Sequence, residues 1–361
     1  MFATECSIAI RTMTPDQALE FQSTNGAANN SVAQMRSIAG LCNAGEFDAA
    51  TLHLPLAERK IAGDATDQAI LRLSETFGEV RYLQTLWRKT FELAFNSKNK
   101  FMIRTLALSD SEGLQFALAP AEQASWKSDD LLLTIKGAPD ILVERCTKYV
   151  GEDSHLYSLD SSMKSNIELI KNKWSSEGKR VILLARKVLP GHQSQHHPTH
   201  NTFEAEIMHQ GSSDLTFVGL VAIVDPPRDE IRDVVSILRG AGIRIFMVTG
   251  DFKLTAQAIA IDCGIISCPA SMVHDVSMLS RHGVDSQKSL STDVSHEKDP
   301  AYIAGRSITL SGPELISLND NQWEQLSKYD EIVFARTTPE QKLRIVKGIV
   351  HPSVYLSYSI D

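Results

Sequence analysis

The stretch Gly242 to Asp251, GIRIFMVTGD, reads as an apolar strand that ends in Thr249, Gly250 and Asp251 and hands over to a helical pattern. A run of β-branched and apolar residues bounded by glycine predicts a strand buried on both faces of a parallel sheet. The turn after such a strand lies at the carboxyl edge of its sheet, where open α/β folds bind ligands. Gly250 lets backbone approach a ligand, Thr249 offers a hydroxyl to a phosphate oxygen, and a helix starting near Leu254 aims its first amides the same way. Asp251 adds a carboxylate able to hold a magnesium-bound water. An ordinary strand-to-helix turn accounts for these residues equally well, so the rest of the chain has to decide.

On both sides of this stretch the pattern is strand and helix in alternation: Leu215 to Val224, Asp229 to Arg239, Ile243 to Val248, Leu254 to Cys263, Glu331 to Ala335, and a last helix Glu340 to Val350. Such alternation predicts a parallel sheet with right-handed crossovers, opened by the strand Leu215 to Val224. The end, VYLSYSID, reads as one more strand. Upstream the pattern is α+β. Helices are expected after Ser31 and after Gly63, the second capped by Thr66 or Asp64, and a hairpin where Phe91, Leu93 and Phe95 alternate before NSKNK. Leu131 to Ile135 and Arg180 to Arg186 add strands, with a helix over Ser162 to Glu177 between them. Thr14 to Asn30, rich in Thr, Asn, Gln, Gly and Ala, reads as a surface loop, and residues 1–30 are expected to order poorly. We therefore place one domain over residues 31–210 and a second over 211–361.

With 361 residues, 43% apolar and 22% charged, the chain has the composition of about two globular domains. A net charge of −8 argues against a nucleic-acid surface. The five cysteines are scattered and without a CxxC pair, as core thiols in a reducing compartment would be. No stretch approaches the roughly 20 apolar residues that cross a bilayer, and the first residues lack the apolar core of a signal peptide. His192, His196, His197 and His200 crowd one loop, but Pro190 and Pro198 break any helix that would align them, so the loop is read as solvated and no metal ligands are assigned.

Five short words then occur in one order: GDATDQA (Gly63 to Ala69), FNSKNK (Phe95 to Lys100), KGAPD (Lys136 to Asp140), DPPRD (Asp225 to Asp229) with MVTGD (Met247 to Asp251), and FARTTPEQK (Phe334 to Lys342). With IAGLCN (Ile38 to Asn43) they resemble the cytoplasmic part of P-type cation-transporting ATPases, most closely the sodium/potassium-ATPase alpha-subunit group, over residues 31–350. The resemblance implies an α/β chain in which an α+β nucleotide-binding domain is inserted into a haloacid-dehalogenase-like, Rossmann-type phosphorylation domain, the two closing on ATP and Mg2+. It implies Phe95 as the ring that stacks on adenine, and Lys100, Lys136 and Gly137 as pocket lining. Asp67 falls where the family usually has a glutamate, and Arg180 matches an arginine that contacts phosphate or ribose. Thr249 and Gly250 match a phosphate-holding pair, and Lys342 a lysine that neutralises the transferring phosphoryl group; Asp251 and Arg336 are polar partners nearby. Asp225 and Arg228 would fix the hinge between domains.

The family's phosphorylated aspartate lies in DKTGT and its magnesium site in TGDGxND, and neither word occurs in these residues. Pro226 and Pro227 follow Asp225 where a dehalogenase-type nucleophile needs an acid and a hydroxyl, which removes Asp225 as a substitute. The expectation is a fragment of a pump, at the cytoplasmic face of a membrane, whose partners are ATP and the transmembrane and actuator domains of the parent, and which by itself binds nucleotide without turnover. A soluble regulatory nucleotide-binding module and a haloacid-dehalogenase-type phosphatase are the alternatives. The cation is not readable from these residues.

Overall fold

The computed structural model describes residues 1–24, 30–191, 201–280 and 307–350. The histidine loop and the C-terminal VYLSYSID, both assigned above, lie outside the described residues. The chain divides into two compact units. The first is Met1–Trp174 with Lys179–Pro226, and the second is Ser175–Gly178 with Pro227 onward.

The described strands, in chain order, are β1 Phe2–Ile8, β2 Arg11–Met13, β3 Glu46–Phe47, β4 Ile61–Ala62, β5 Trp87–Leu93, β6 Phe101–Leu108, β7 Leu131–Gly137, β8 Cys146–Val150, β9 Leu156–Ser158, β10 Arg180–Leu189, β11 Leu215–Val224, β12 Phe246–Val248, β13 Ser307–Ser311 and β14 Glu331–Ala335. In the first unit nine of them make one sheet in the order β2-β1-β11-β10-β7-β6-β5, with β8 on β11 and β9 on β8. Strand parity sorts the side chains into two cores. Phe101, Ile103, Leu133, Ile135, Leu183 and Ala185 meet Trp174 and Phe203 in one. Met102, Leu184, Val221 and Ile223 meet Met35, Ile38, Ile70 and Leu73 in the other. The helix predicted after Ser31 is Ser31–Leu41, and all eleven of its residues are buried. Each Ile or Met so enclosed contributes about 1.5–3 kcal/mol, and Ile38→Ala would forfeit about 2–5 kcal/mol.

Strand β11 corrects the sequence reading. All but its last residue are buried, as an all-apolar run demands, yet it runs antiparallel to β10 (Arg180 opposite Ile223, Arg186 opposite Thr216) and to β1 (Phe2 opposite Val224). It belongs to the first unit, and its one parallel partner is the short β8 at Leu215 to Phe217, so it does not open the parallel sheet of the second unit; a strand between such partners and two helix layers is equally apolar whichever way those partners run. The divide falls between Pro226 and Pro227, not at residue 210. Residues 1–24, expected to order poorly, are built into the fold instead: β1 pairs the edge of β11, its Cys6 and Ile8 are fully enclosed, and helix Pro15–Thr24 follows. All five cysteines are free and buried, and burial pushes the Cys6 and Cys146 thiols up to about 12.

The second unit has the expected parallel sheet, with three strands in the order β12-β14-β13. Phe246 faces Ile332, Val248 faces Phe334, and Ser311 faces Ala335. Central β14 is wholly buried, whereas β12 is three residues long, half-buried and at the edge. The expectation of a fully buried strand over Ile243 to Val248 fails: Ile243 is 50% exposed and Phe246–Val248 are half-buried, although Phe246 and Val248 pack on one apolar cluster and Ile245 and Met247 on another.

Candidate functional site

Four antiparallel neighbours finish or start at one end of the first sheet. β5 leaves at Leu93, opposite Ile103; β6 enters at Phe101, opposite Gly137; β7 leaves at Gly137, opposite Leu183; β10 enters at Arg180. Topology thus gathers Phe95, Lys100, Lys136, Gly137 and Arg180 from three separate stretches of sequence.

Strand β5 stops two residues short of Phe95, so the ring is not the core hairpin residue that its alternation with Phe91 and Leu93 would make it. It is 58% exposed. The turn behind it is braced: the Asn96 side chain accepts the amides of Lys98 (3.1 Å) and Asn99 (2.7 Å), and the Lys100 amide donates to the Asn96 carbonyl at 2.8 Å. Lys100 closes this turn at φ 62°, and its carbonyl accepts the Ala138 amide at 3.0 Å. At Gly137 a Cβ would lie 2.5 Å from that carbonyl oxygen and 2.6 Å from Cβ of Phe101. The glycine of KGAPD is therefore required by the crossing of two backbones.

Lys136 and Asp67 form an ion pair with both partners enclosed, at 5% and 4% exposure. Asp67 stands in the first turn of helix Ala65–Thr76, which Asp64 caps by accepting the amides of Thr66 (2.8 Å) and Asp67 (3.0 Å). Its second carboxylate oxygen accepts the Ala44 amide at 3.0 Å. Asn43 fastens the same corner, donating to the carbonyls of Asp67 (3.0 Å) and Ala39 (3.1 Å) while accepting the Gly45 amide at 2.7 Å. Beside it, burial raises the Cys42 thiol above its ordinary value although the Lys136 charge opposes that rise. Arg180 reaches the same helix start, donating to the Thr66 hydroxyl at 3.3 Å. Thr66 and Asn43 are participants that sequence reasoning passed over; both lie inside words already singled out, GDATDQA and IAGLCN.

The second unit has its own corner at the carboxyl edge of its parallel sheet. The Thr249 amide donates to the Phe334 carbonyl at 2.8 Å, the Arg336 amide to Asp251 at 2.9 Å, and the Thr337 amide and hydroxyl to the Thr249 carbonyl at 3.1 and 2.9 Å. The two turns after β12 and β14 are thus laced together. Thr249 and Asp251 also bond each other, hydroxyl to carboxylate at 3.0 Å and amide to hydroxyl at 3.1 Å. Arg336 takes φ 53° and sets its guanidinium 5.7 Å from the Phe252 ring centroid. A Cβ at Gly250 would meet only the Thr337 carbonyl, at 4.0 Å, so packing does not demand a glycine there. Lys342 is exposed in the first turn of helix Pro339–Val350. Among the described residues no three His, Cys, Asp or Glu side chains stand together as metal ligands, and no helix is long and apolar enough to cross a membrane.

The sequence model of the family described as P-type ATPase, cytoplasmic domain N, matches residues 31–230. The human protein named potassium-transporting ATPase alpha chain 2 is 32% identical over 320 residues, which is 88% of this chain and 28% of that protein. Sodium/potassium-transporting ATPase subunit alpha-A of Artemia franciscana is 32% identical over 326 residues, 90% of this chain and 29% of its own length. The human subunit alpha-4 of the sodium/potassium-transporting ATPase is 33% identical over 313 residues, covering 86% and 27%. The chain spans less than a third of the length of these relatives.

Proposed function

This chain belongs to the P-type ATPases, by its match to their cytoplasmic domain N, and from that premise we propose that its first unit binds ATP at the sheet end where Phe95, Lys100, Lys136, Gly137, Asp67 and Arg180 are gathered. The observation that carries the reading is Phe95, a large ring held more than half exposed on a braced turn. An aromatic face left open to water on a rigid support suits a base that stacks. Lys100 and Arg180 lie at the same sheet end and supply positive charge for phosphates.

In this proposal the second unit is part of a haloacid-dehalogenase-like phosphorylation domain, with Thr249, Gly250, Asp251, Arg336 and Lys342 as an anion corner. The open backbone at Gly250 supports it, since a ligand and not packing would then require the glycine. Magnesium does not fit the described residues by themselves: Asp251 is a single carboxylate already bonded to Thr249. The ion is expected to arrive on the nucleotide's own phosphates. The parent would be an ATP-driven pump of the sodium/potassium type acting with transmembrane and actuator domains, its nucleotide site on the cytoplasmic face. These 361 residues contain neither DKTGT nor TGDGxND, so they are expected to bind without transferring phosphate.

Titration of the purified chain with ATP tests the site: Phe95→Ala should weaken binding, and unchanged affinity would remove Phe95 from it. Incubation with γ-labelled ATP and acid quench tests the chemistry, with no protein-bound label expected. Label abolished by Asp225→Asn would restore Asp225 as a nucleophile.

A further inference from the structure

Lys253 and Glu314 close a ring of contacts around the anion corner of the second unit. The Arg336 amide donates to the Asp251 carbonyl at 2.9 Å. A Cβ at Gly312 would lie 2.5 Å from the Arg336 carbonyl oxygen, and Gln341 donates to the Gly312 carbonyl at 3.3 Å while accepting the Thr338 amide at 2.9 Å. The turn after β13 is thereby seated on the turn after β14. Two residues beyond Gly312, Glu314 takes the Lys253 ammonium on both carboxylate oxygens, at 2.9 and 3.1 Å, and Lys253 itself stands two residues beyond Asp251. The ring runs through Asp251, Arg336, Gly312, Glu314 and Lys253, and its members come from the turns after all three parallel strands.

The lysine is the odd member of this ring. It is the first residue of helix Lys253–Asp262, where a cation opposes the helix dipole and an anion is favoured. Its partner does not depend on it, because Glu314 also accepts the Ser311 amide and hydroxyl at 2.5 and 2.7 Å, the capping box of helix Gly312–Ile316. Burial alone would raise the Glu314 carboxyl, but those two bonds and Lys253 together hold it below its ordinary value. The Lys253 charge also reaches Asp275, whose carboxyl is held low chiefly by Ser277. The two side chains of the pair are 26% and 27% exposed, and a partly exposed ion pair adds little net stability, so it opens at small cost.

Resting on the anion-corner reading above, we infer that Lys253 is a further phosphate-binding residue of that corner and that Glu314 is its internal competitor, a carboxylate that holds the ammonium and yields it to a phosphate oxyanion. Yielding it strands no charge in an apolar core, since Glu314 keeps its bonds to Ser311 and its access to water. The anion then meets a cation at a helix start, the place where the dipole adds to the attraction.

The test is equilibrium titration of the full 361-residue chain with inorganic phosphate, at an ionic strength held constant with chloride, for the parent sequence, Lys253→Met, Glu314→Gln, the double variant and Thr249→Ala. Lys253→Met should weaken phosphate binding about fivefold or more. Glu314→Gln should strengthen it about threefold or more, because glutamine keeps the capping bonds and releases the lysine. The double variant should bind like Lys253→Met, since the gain acts only through the lysine. If the pair merely fastens the turn after β13, both single variants weaken phosphate alike, which overturns the inference. So does a gain from Glu314→Gln that persists in the double variant, for then the loss of a negative charge at a distance draws the anion and Lys253 does not. Should Lys253→Met fail to fold, Lys253→Gln takes its place in the same comparison. A parent chain that binds no phosphate defeats the corner reading itself and takes the inference with it. Phosphate binding that Thr249→Ala weakens and Lys253→Met leaves unchanged defeats the inference alone.

Discussion

The apolar strands β11 and β12, one from each unit, are placed in opposite ways. In the first, β11 is paired along its length by β10 on one side and by β8 and β1 on the other, and both faces are covered by apolar clusters. In the second, β12 has one described neighbour, and the helices near it keep apolar side chains in water: Val234 and Ile237 on Ile231–Gly240, Leu343 and Val346 on Pro339–Val350. The residues gathered at the end of β5, β6, β7 and β10 all come from the first unit. A corner on a three-stranded sheet with uncovered apolar flanks depends on what else is laid against it.

Breaking the Lys136–Asp67 pair should have the largest effect and should stay within the first unit. Lys136→Met is expected to cost about 3–5 kcal/mol of that unit's stability, the usual result of stranding a buried charge. Hydrogen exchange resolved by segment would reveal it, and an equal loss in residues 227–350 would contradict two separate units. Phe95→Ala should divide binding from stability: about 1–3 kcal/mol of ATP affinity lost by analogy with stacked bases, against a stability change within about 0.5 kcal/mol for an exposed ring. A large loss of stability would return Phe95 to the core.

The second unit should respond to acid. Burial alone would raise the Glu331 carboxyl, but hydrogen bonds from Ser307 and Ser267 and the Arg239 guanidinium outweigh it and hold the group below its ordinary 4.5. A depressed carboxyl contributes stability that is full above the unfolded value and is lost as pH falls through the folded one. Unfolding followed below about pH 4.5 should show this loss in the parent and a flatter profile in Glu331→Gln. Identical slopes would dismiss Glu331 as the acid-sensitive group. The smallest effect belongs to the flank, where Ile237, 71% exposed, has little packing to lose. Ile237→Ser should change stability by less than about 0.5 kcal/mol while reducing binding of an apolar dye. An appreciable loss of stability would show that Ile237 is covered after all.

Most of the candidate site could be read as words, because a cap, a glycine and a turn are local matters. Asp64 caps where the sequence placed a helix start, and the lysines lie where KGAPD and FNSKNK put them. What escaped was the order of the strands. The partner that makes β11 central is β1, whose seven residues carry only two full anchors, Cys6 and Ile8, too few to stand out in a polar composition. The side on which Lys136 spends its charge escaped as well. Pairing across 69 positions of sequence leaves no periodic trace, and the substitution of aspartate for glutamate at position 67 was the one sign of it.

The pairing of Phe2 with Val224 and of Ser7 with Leu220 bears on how the chain comes to be folded at all. β1 leaves the ribosome well before its partner, which follows more than two hundred residues later. At ordinary translation rates of 5–20 residues per second the wait is roughly 10–45 s. Through that interval Cys6 and Ile8 have no sheet to enter, and the loop that must close is nearly the whole first unit. Long-range closure of this kind slows folding far more than it weakens the finished structure. Substitutions in β1 are therefore expected to raise aggregation during synthesis more than they lower equilibrium stability.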